Sequence, residues 1–242
     1  LEIKGVVFNE MKGAMSSVSS QLWHGLSKHL YSSSTYKHNS GGNPENIIDL
    51  THDYLVDFHR KHYHPSNATF FTFGNLNPTE IQEFINKNVL ENFEPSNEII
   101  SVKNEHRISK PKTVTEFYNP LPEDENNHHV VLSWLLGESH NPVELLESYL
   151  VSNILLDNSA SPLRKVLENT DLGKSLSPLT GLEADHKELV FAAGLEGVDA
   201  NAQLKVEELI LNCLKNVVSN GISNELIQSS LHQLEIKQRE IT

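Results

Sequence analysis

The chain has 242 residues, and its 32 acidic side chains against 19 lysines and arginines give a formal net charge of −13, which argues against a nucleic-acid partner. The 38% hydrophobic and 21% charged content is that of an ordinary globular protein, and a single cysteine, Cys213, excludes an internal disulfide. No apolar run approaches the ~20 residues needed to cross a bilayer, so we expect a soluble chain with no membrane contact.

Apolar residues at helical spacing dominate the first half of the chain. Steps of three and four residues across residues 3–22 predict one amphipathic helix. Thr51 is a good cap for a second helix, which Pro65 ends, and Asn77-Pro78 starts a third. Residues 68–73 (ATFFTF) are β-branched and aromatic, which predicts a strand closed by Gly74.

The apolar pattern weakens between residues 91 and 127, where four prolines fall among many charges. We therefore predict a boundary here: residues 1–93 form one unit, residues 94–126 a tether with a strand near residues 114–118, and residues 127–242 a second unit. The tether is the expected site of first proteolytic cleavage.

The second half again mixes strands and helices, which gives the α+β class. Leu146, Leu150 and Ile154 are in helical register and are predicted to face inward. The predicted elements are strands at 129–136 and 188–195, helices starting at Asn141-Pro142 and Ser161-Pro162, and helices at about 201–218 and 223–239.

Thirteen histidines raise the possibility of a metal site, and the densest group is His59, His62 and His64 in HRKHYH. Imidazoles three residues apart on a helix lie near one another, as metal ligands must. Buried, hydrogen-bonded histidines are the commoner explanation, and His64 lies past the predicted helix end. Neither H-E-x-x-H nor H-x-x-E-H occurs in the chain, and Cys213 lies in an apolar helical pattern typical of core.

Glu10 is the carboxylate of most interest. It lies among Val6, Val7 and Phe8, so close to an apolar helix face that its ionised form would need a partner. A first-turn glutamate stabilised by the helix dipole is the simpler interpretation, and the residues alone favour it.

Three strings in the first half are specific: residues 5–13 (GVVFNEMKG), 40–47 (SGGNPENI) and 58–75 (FHRKHYHPSNATFFTFGN). Together they resemble the pitrilysin/insulinase-type zinc metallopeptidases, and within them the presequence-peptidase and falcilysin branch. The likeness continues through residues 161–173 (SPLRKVLENTDLG) and 191–197 (FAAGLEG), so it covers essentially the whole chain.

This resemblance implies two successive α+β units, each with helices on one face of a mostly antiparallel sheet and each incomplete. Residues 1–93 would be the C-terminal part of the zinc-binding domain, and residues 127–242 the N-terminal part of the next. In the family, two histidines of an H-x-x-E-H helix and a distal glutamate hold the zinc, and the glutamate corresponds to Glu10. The helix would precede Leu1, so the chain is expected to be an internal fragment with one zinc ligand and no other catalytic residue.

The parent implied by the resemblance is an ATP-independent oligopeptidase that cuts unstructured peptides in a closed chamber. Its partners would be such peptides and the parent's remaining domains, in a bacterial cytoplasm or periplasm or an organelle matrix. The fragment alone is expected to be inactive and to hold no stoichiometric zinc.

Two alternatives stay open. A non-catalytic member of the family, similar to a structural core subunit, would lack H-x-x-E-H upstream of Leu1. An unrelated two-domain binding module with a histidine-rich metal site would bind zinc stoichiometrically as the isolated chain.

Overall fold

The computed structural model describes residues 5–98, 100–118 and 128–240. By their contacts the described residues form two compact units: unit 1 lies within residues 1–11 and 41–103, and unit 2 lies within residues 12–40 and 104–242. The α-helices are α1 (Val6–Ala14), α2 (Val18–Leu30), α3 (Pro44–Ile47), α4 (His52–His62), α5 (Pro78–Asn88), α6 (Pro142–Leu156), α7 (Pro162–Glu168), α8 (Gln203–Asn220) and α9 (Asn224–Arg239). The strands are β1 (His128–Glu138), β2 (Ser175–Leu176), β3 (Gly181–Glu183) and β4 (Glu188–Val198). The predicted domain boundaries stay a prediction, although unit 2 also takes in residues 12–40.

Unit 2 contains an antiparallel sheet with β4 at its centre. Strand β1 pairs along most of one edge of β4, with Val130 opposite Leu195, and the short strands β2 and β3 pair with the other edge. Gly194 permits the close approach of β1, because a Cβ there would overlap the carbonyl oxygen of Val130. Helices and a small antiparallel sheet confirm the predicted α+β class.

The core of unit 2 lies where β4 meets α6, α7 and α8. Burial of each large aliphatic side chain contributes roughly 2 kcal/mol to the free energy of folding. The buried cluster consists of Leu155, Leu163, Leu167, Phe191, Ala193, Leu195, Val198, Ala202, Val206, Ile210 and Cys213. Cys213 is therefore a core residue, as predicted, and burial raises the pKa of its thiol.

Most predicted elements of the second half are confirmed, and local capping explains where they begin. The side chain of Asn141 accepts hydrogen bonds from the backbone at the start of α6, and Ser223 does the same for α9. Gly221 ends α8 with φ +74°, a conformation that favours glycine.

The predicted inward face of α6 is partly wrong. Ile154 is 3% exposed, but Leu146 is 51% exposed. Apolar residues occur on nearly every side of α6, which contacts β1, β3, α7 and α9, so helical spacing alone could not select the buried face.

The single helix predicted for residues 3–22 is also wrong, because the chain forms α1 and α2 with a break between them. The Ser17 hydroxyl accepts a hydrogen bond from the Ser20 amide at 3.2 Å, which caps a new helix within the periodic apolar pattern.

Unit 1 lacks the strand predicted at residues 68–73. These residues pair with no strand in the described parts of the chain, and Phe71 and Phe73 are 84% and 91% exposed. A strand requires a neighbour for its amide and carbonyl groups, and the described residues of unit 1 provide none. None of those described residues is buried.

The predicted tether is held in place over part of its length. Glu105 is buried in unit 2, and Glu116 contacts His29 and Lys28 of α2. The strand predicted at residues 114–118 is not formed there, and residues 119–126 of the tether lie outside the described residues. In the described ranges, no helix combines the length and the apolar content that a membrane span needs.

Candidate functional site

Glu10 lies in the middle of α1, a helix with no buried residue. Its side chain is exposed, as are those of Val6 and Val7, whereas Phe8 and Met11 are half-buried. Glu10 is the fifth residue of α1 and is exposed, so the first-turn interpretation is wrong.

The carboxylate of Glu10 makes no hydrogen bond or ion pair with the described residues. A free carboxylate oxygen is a normal zinc ligand, so Glu10 fits the role of one member of a ligand set. The described residues contain no group of three histidine, cysteine, aspartate or glutamate side chains that could hold a metal ion. At least one further ligand of such a set must therefore come from outside the described residues.

The structure brings two of the specific strings together, because Met11 of GVVFNEMKG packs against Gly41 of SGGNP. A Cβ at Gly41 would overlap Sδ of Met11 and lie 2.9 Å from its Cε. The next residue, Gly42, has φ +92°, and Asn43 then caps the short helix α3. The sequence assigned no function to Gly41, which stood out only because it belongs to the string SGGNPENI.

The three histidines of HRKHYH do not converge on one point. The ring of His59 stacks on Tyr63 at 4.8 Å, and the ring of His62 stacks on Phe58 at 3.9 Å. His64 Nδ1 accepts a hydrogen bond from the Ser66 amide at 3.2 Å. His59 is exposed and the other two are half-buried, so their predicted burial is wrong, but their contacts support a structural role.

Two buried glutamates in unit 2 were not anticipated from the sequence. Glu105 is 5% exposed and accepts hydrogen bonds from the hydroxyl of Ser32 at 2.6 Å and the amide of Ser34 at 2.8 Å. Glu188 is 1% exposed and accepts from Arg107 Nη1 at 2.6 Å and from the Glu105 amide at 2.7 Å. Because each carboxylate is paired or hydrogen-bonded, we interpret this cluster as structural.

Burial would raise the pKa of Glu105, but hydrogen bonds from Ser32, Ser33 and Ser34 outweigh it and lower the pKa from 4.5 to about 2. A carboxyl whose pKa is depressed by folding stabilises the protein above its unfolded pKa and loses that effect as the pH falls. We expect denaturant unfolding to show a stability loss of at most about 3 kcal/mol from this group between pH 4.5 and pH 2.

The control for this pH dependence is Glu147→Gln on exposed α6 surface, which should leave the profile unchanged. Glu105→Gln should lower the stability at pH 7 and flatten the profile below pH 4.5. Identical acid profiles for Glu105→Gln and the unaltered chain would contradict the assignment.

A cluster of rings lies beside these glutamates. The Tyr31 hydroxyl is fully buried, and burial together with the Glu188 charge raises its pKa strongly. The ring of His186 stacks on Tyr36 at 4.5 Å, and burial lowers the pKa of His186. The tyrosine thus stays protonated and the histidine neutral at pH 7, which suits packing rather than proton transfer.

A shallow groove with a volume of about 390 Å³ also lies in unit 2. It is lined by Ser19, Ser20 and Trp23 of α2 and by residues 178–183, which include all of β3. Among the described strands, β3 pairs only with β4 and is therefore an edge strand. An edge strand beside an apolar ring is chemically suited to an extended peptide.

Solved structures with the same fold define the class of the chain. The peptidase M16 inactive domain from Pseudomonas fluorescens matches 95% of this chain and 53% of its own, with a TM-score of 0.69 and 17% identity. A putative M16-like peptidase from Alicyclobacillus acidocaldarius matches 95% of this chain and 53% of its own, with a TM-score of 0.60 and 16% identity. The fold is thus that of the M16-like α+β peptidases.

The family model for the peptidase M16 inactive domain matches residues 49–234, and the chain therefore belongs to the M16 peptidase family. Two curated relatives align with 99% of the chain: the mitochondrial presequence protease of Xenopus tropicalis at 37% identity and protein HypA of Clostridium perfringens at 31%. The chain spans only 24% and 25% of the length of these relatives. The resemblance to the pitrilysin-type peptidases is confirmed.

Proposed function

We propose that this chain is part of a zinc-dependent oligopeptidase that degrades unstructured peptides, with Glu10 as one zinc ligand. The observation that carries the proposal is the exposed carboxylate of Glu10, which no described residue engages. The 37% identity to a presequence protease over nearly the whole chain supports the substrate class, peptides of the targeting-sequence kind.

In this proposal Glu10 contributes one negatively charged oxygen, and the part of the parent that corresponds to H-x-x-E-H contributes the remaining ligands and the general base. When bound, zinc would polarise the scissile carbonyl as a Lewis acid and activate a water molecule. The α1 helix holds Glu10 in place, and its exposure leaves the carboxylate accessible to that second part.

The family resemblance implies that substrate docks by backbone hydrogen bonds along a strand edge, which gives affinity with little demand on sequence. That edge belongs to the part of the parent outside this chain, so we assign no residue here to substrate binding. The net charge of −13 would attract cationic peptides over a longer range. The relatives include mitochondrial and bacterial proteins, so we propose an organelle matrix or a bacterial compartment for the parent.

The alternative is a non-catalytic member of the family that acts as a structural core subunit. One observation favours it: the matching family model is described as an inactive domain. The match begins at residue 49, however, so Glu10 lies outside it and is not covered by that description.

The test uses the full-length parent and the isolated chain side by side. We expect the parent to contain one zinc per chain and to cleave an unstructured basic peptide, but not the same peptide embedded in a folded protein. The isolated chain should do neither, because a single carboxylate does not bind zinc tightly.

A parent that folds but holds no zinc and cleaves no peptide would support the structural-subunit alternative. Zinc-dependent cleavage by the isolated chain would contradict the role of Glu10 as one ligand of a larger set. That result would instead make His59, His62 and His64 the candidate zinc ligands.

A further inference from the structure

We propose that residues 69–73 are an interaction surface: they pair as a strand with a sheet in the part of the parent that lies outside residues 1–242. The exposed apolar surface around them is then an interface within one polypeptide. This inference rests on the proposal that the chain is part of a longer peptidase, but it depends neither on zinc nor on Glu10.

The backbone of residues 69–73 is unpaired. No amide or carbonyl group of these five residues forms a hydrogen bond with any residue that the structure describes, whereas the Ala68 amide donates to the Pro65 carbonyl at 3.0 Å. Backbone groups of folded proteins are nearly always hydrogen-bonded, to protein or to water. A run of unpaired groups on residues with strand-forming side chains is a template for an added strand.

The side chains of the same segment are equally uncovered. Side chains alternate between the two faces of an extended segment, so Phe71 and Phe73 share one face. They are 84% and 91% exposed, and Phe70 on the opposite face is 49% exposed. Three adjacent large rings on both faces are typical of a strand that is covered on both sides.

The corresponding string of unit 2 shows what such a segment looks like when its partners are present. FTFG at residues 71–74 precedes helix α5, just as FAAG at residues 191–194 precedes α8. In β4, Phe191 is 8% exposed and Ala193 is fully buried, because β1 pairs with one edge and β2 and β3 with the other. We attribute the difference in burial to the missing partner strands.

Unit 1 also needs a partner to be stable. None of its described residues is buried, and large side chains such as Tyr54, Leu55, Leu76 and Phe84 are more than half exposed. A domain without a buried core cannot offset the conformational entropy lost on folding. An exposed apolar surface of this extent marks an interface.

The partner is assigned to the parent's own chain. The curated relatives align with 99% of this chain and continue for about three quarters of their own length outside the aligned part. A unit that cannot fold alone needs its partner at all times, and a covalently linked partner is present at any protein concentration. A second copy of the chain, by contrast, would cover residues 69–73 only when the chain is concentrated.

Amide hydrogen exchange, followed by mass spectrometry, tests this assignment in the dilute, monomeric 242-residue chain and in the full-length parent. Residues 69–73 should exchange as fast as an unstructured peptide in the chain and at least about 100-fold more slowly in the parent. Residues 189–195 of β4 are the internal control and should exchange slowly in both proteins.

Phe73→Asp gives a second, independent measurement. It should hardly change the melting temperature of the 242-residue chain, because Phe73 is 91% exposed there. In the parent it should lower the first melting transition by about 10 °C, because the charge would be buried at the interface. Val218→Asp is the matched control, since Val218 on α8 is 85% exposed, and it should be tolerated in both proteins.

Slow exchange of residues 69–73 in the monomeric chain would overturn the inference, because the chain would then cover its own segment. Fast exchange in the parent, or slow exchange there only at high concentration, would also overturn it. Zinc content and peptide cleavage are measured on the same parent preparation. An active zinc-bound parent with fast exchange overturns the inference alone, whereas an inactive zinc-free parent with slow exchange overturns only the catalytic part of the proposed function.

Discussion

Replacing Glu10 with glutamine in the full-length parent is expected to remove bound zinc and peptide cleavage together. Glutamine keeps the shape of the side chain but loses the charge that makes a carboxylate a zinc ligand. Mutation of a residue that only hydrogen-bonds to a metal ligand typically weakens metal affinity by about 10- to 100-fold. Loss of Glu10, a direct ligand in this proposal, should therefore weaken zinc affinity by at least about 100-fold. Because Glu10 is exposed and no described residue pairs with it, the melting temperature of the zinc-free protein should hardly change.

Glu45→Gln is the matched control, since Glu45 is also an exposed helical glutamate of unit 1. It makes the same change of charge and should keep zinc and turnover. Metal analysis and peptide turnover are measured on the same preparations. Full activity with Glu10→Gln would exclude Glu10 from the metal site.

The largest effect on stability is expected from Ile154→Asp in α6. Ile154 is 3% exposed, so an aspartate there would be buried without a partner. Such a buried charge costs more than about 4 kcal/mol, a large share of the 5–15 kcal/mol by which domains are usually stable. We therefore expect unit 2 to lose its cooperative unfolding transition in a thermal melt.

Leu146→Asp tests the same helix on its exposed side and should shift the melt only slightly, because residue 146 is 51% exposed. The sequence predicted that both positions face inward, so the pair of variants separates the predicted face from the observed one. Equal damage from the two substitutions would contradict the observed packing of α6.

Local signals account for the helices that were predicted correctly. Pro142 and Pro162 favour the first helical position through their fixed φ and missing N–H, and the caps at Thr51 and Ser223 accept hydrogen bonds from nearby backbone amides. Both effects are local. Such bonds depend on a few neighbouring residues and can be read without knowledge of the fold. The strand predicted at residues 188–195 was also readable, because a run of apolar residues this dense needs burial on both faces, and in the structure it continues to Val198 as β4.

The predictions that failed depend on distant partners. Residues 68–73 have the composition of a strand, and the string FTFGN echoes FAAGL in β4, but a strand forms only beside another strand. In β4 that partner is β1, whereas the described residues of unit 1 provide no equivalent. The buried face of α6 likewise depends on which neighbours cover an almost uniformly apolar helix.

The sequence by itself determined the α+β class and most helix starts. Through the string GVVFNEMKG it also identified Glu10 as the proposed zinc ligand. Only the tertiary structure decided that Glu10 is exposed with no partner among the described residues, that Met11 packs on Gly41, and that Glu105 is buried and accepts hydrogen bonds from serines. The physical reason is the separation along the chain over which each interaction acts. Caps and periodicity act over three or four residues, whereas Met11 and Gly41, or Ser34 and Glu105, are far apart in the chain and meet only through folding.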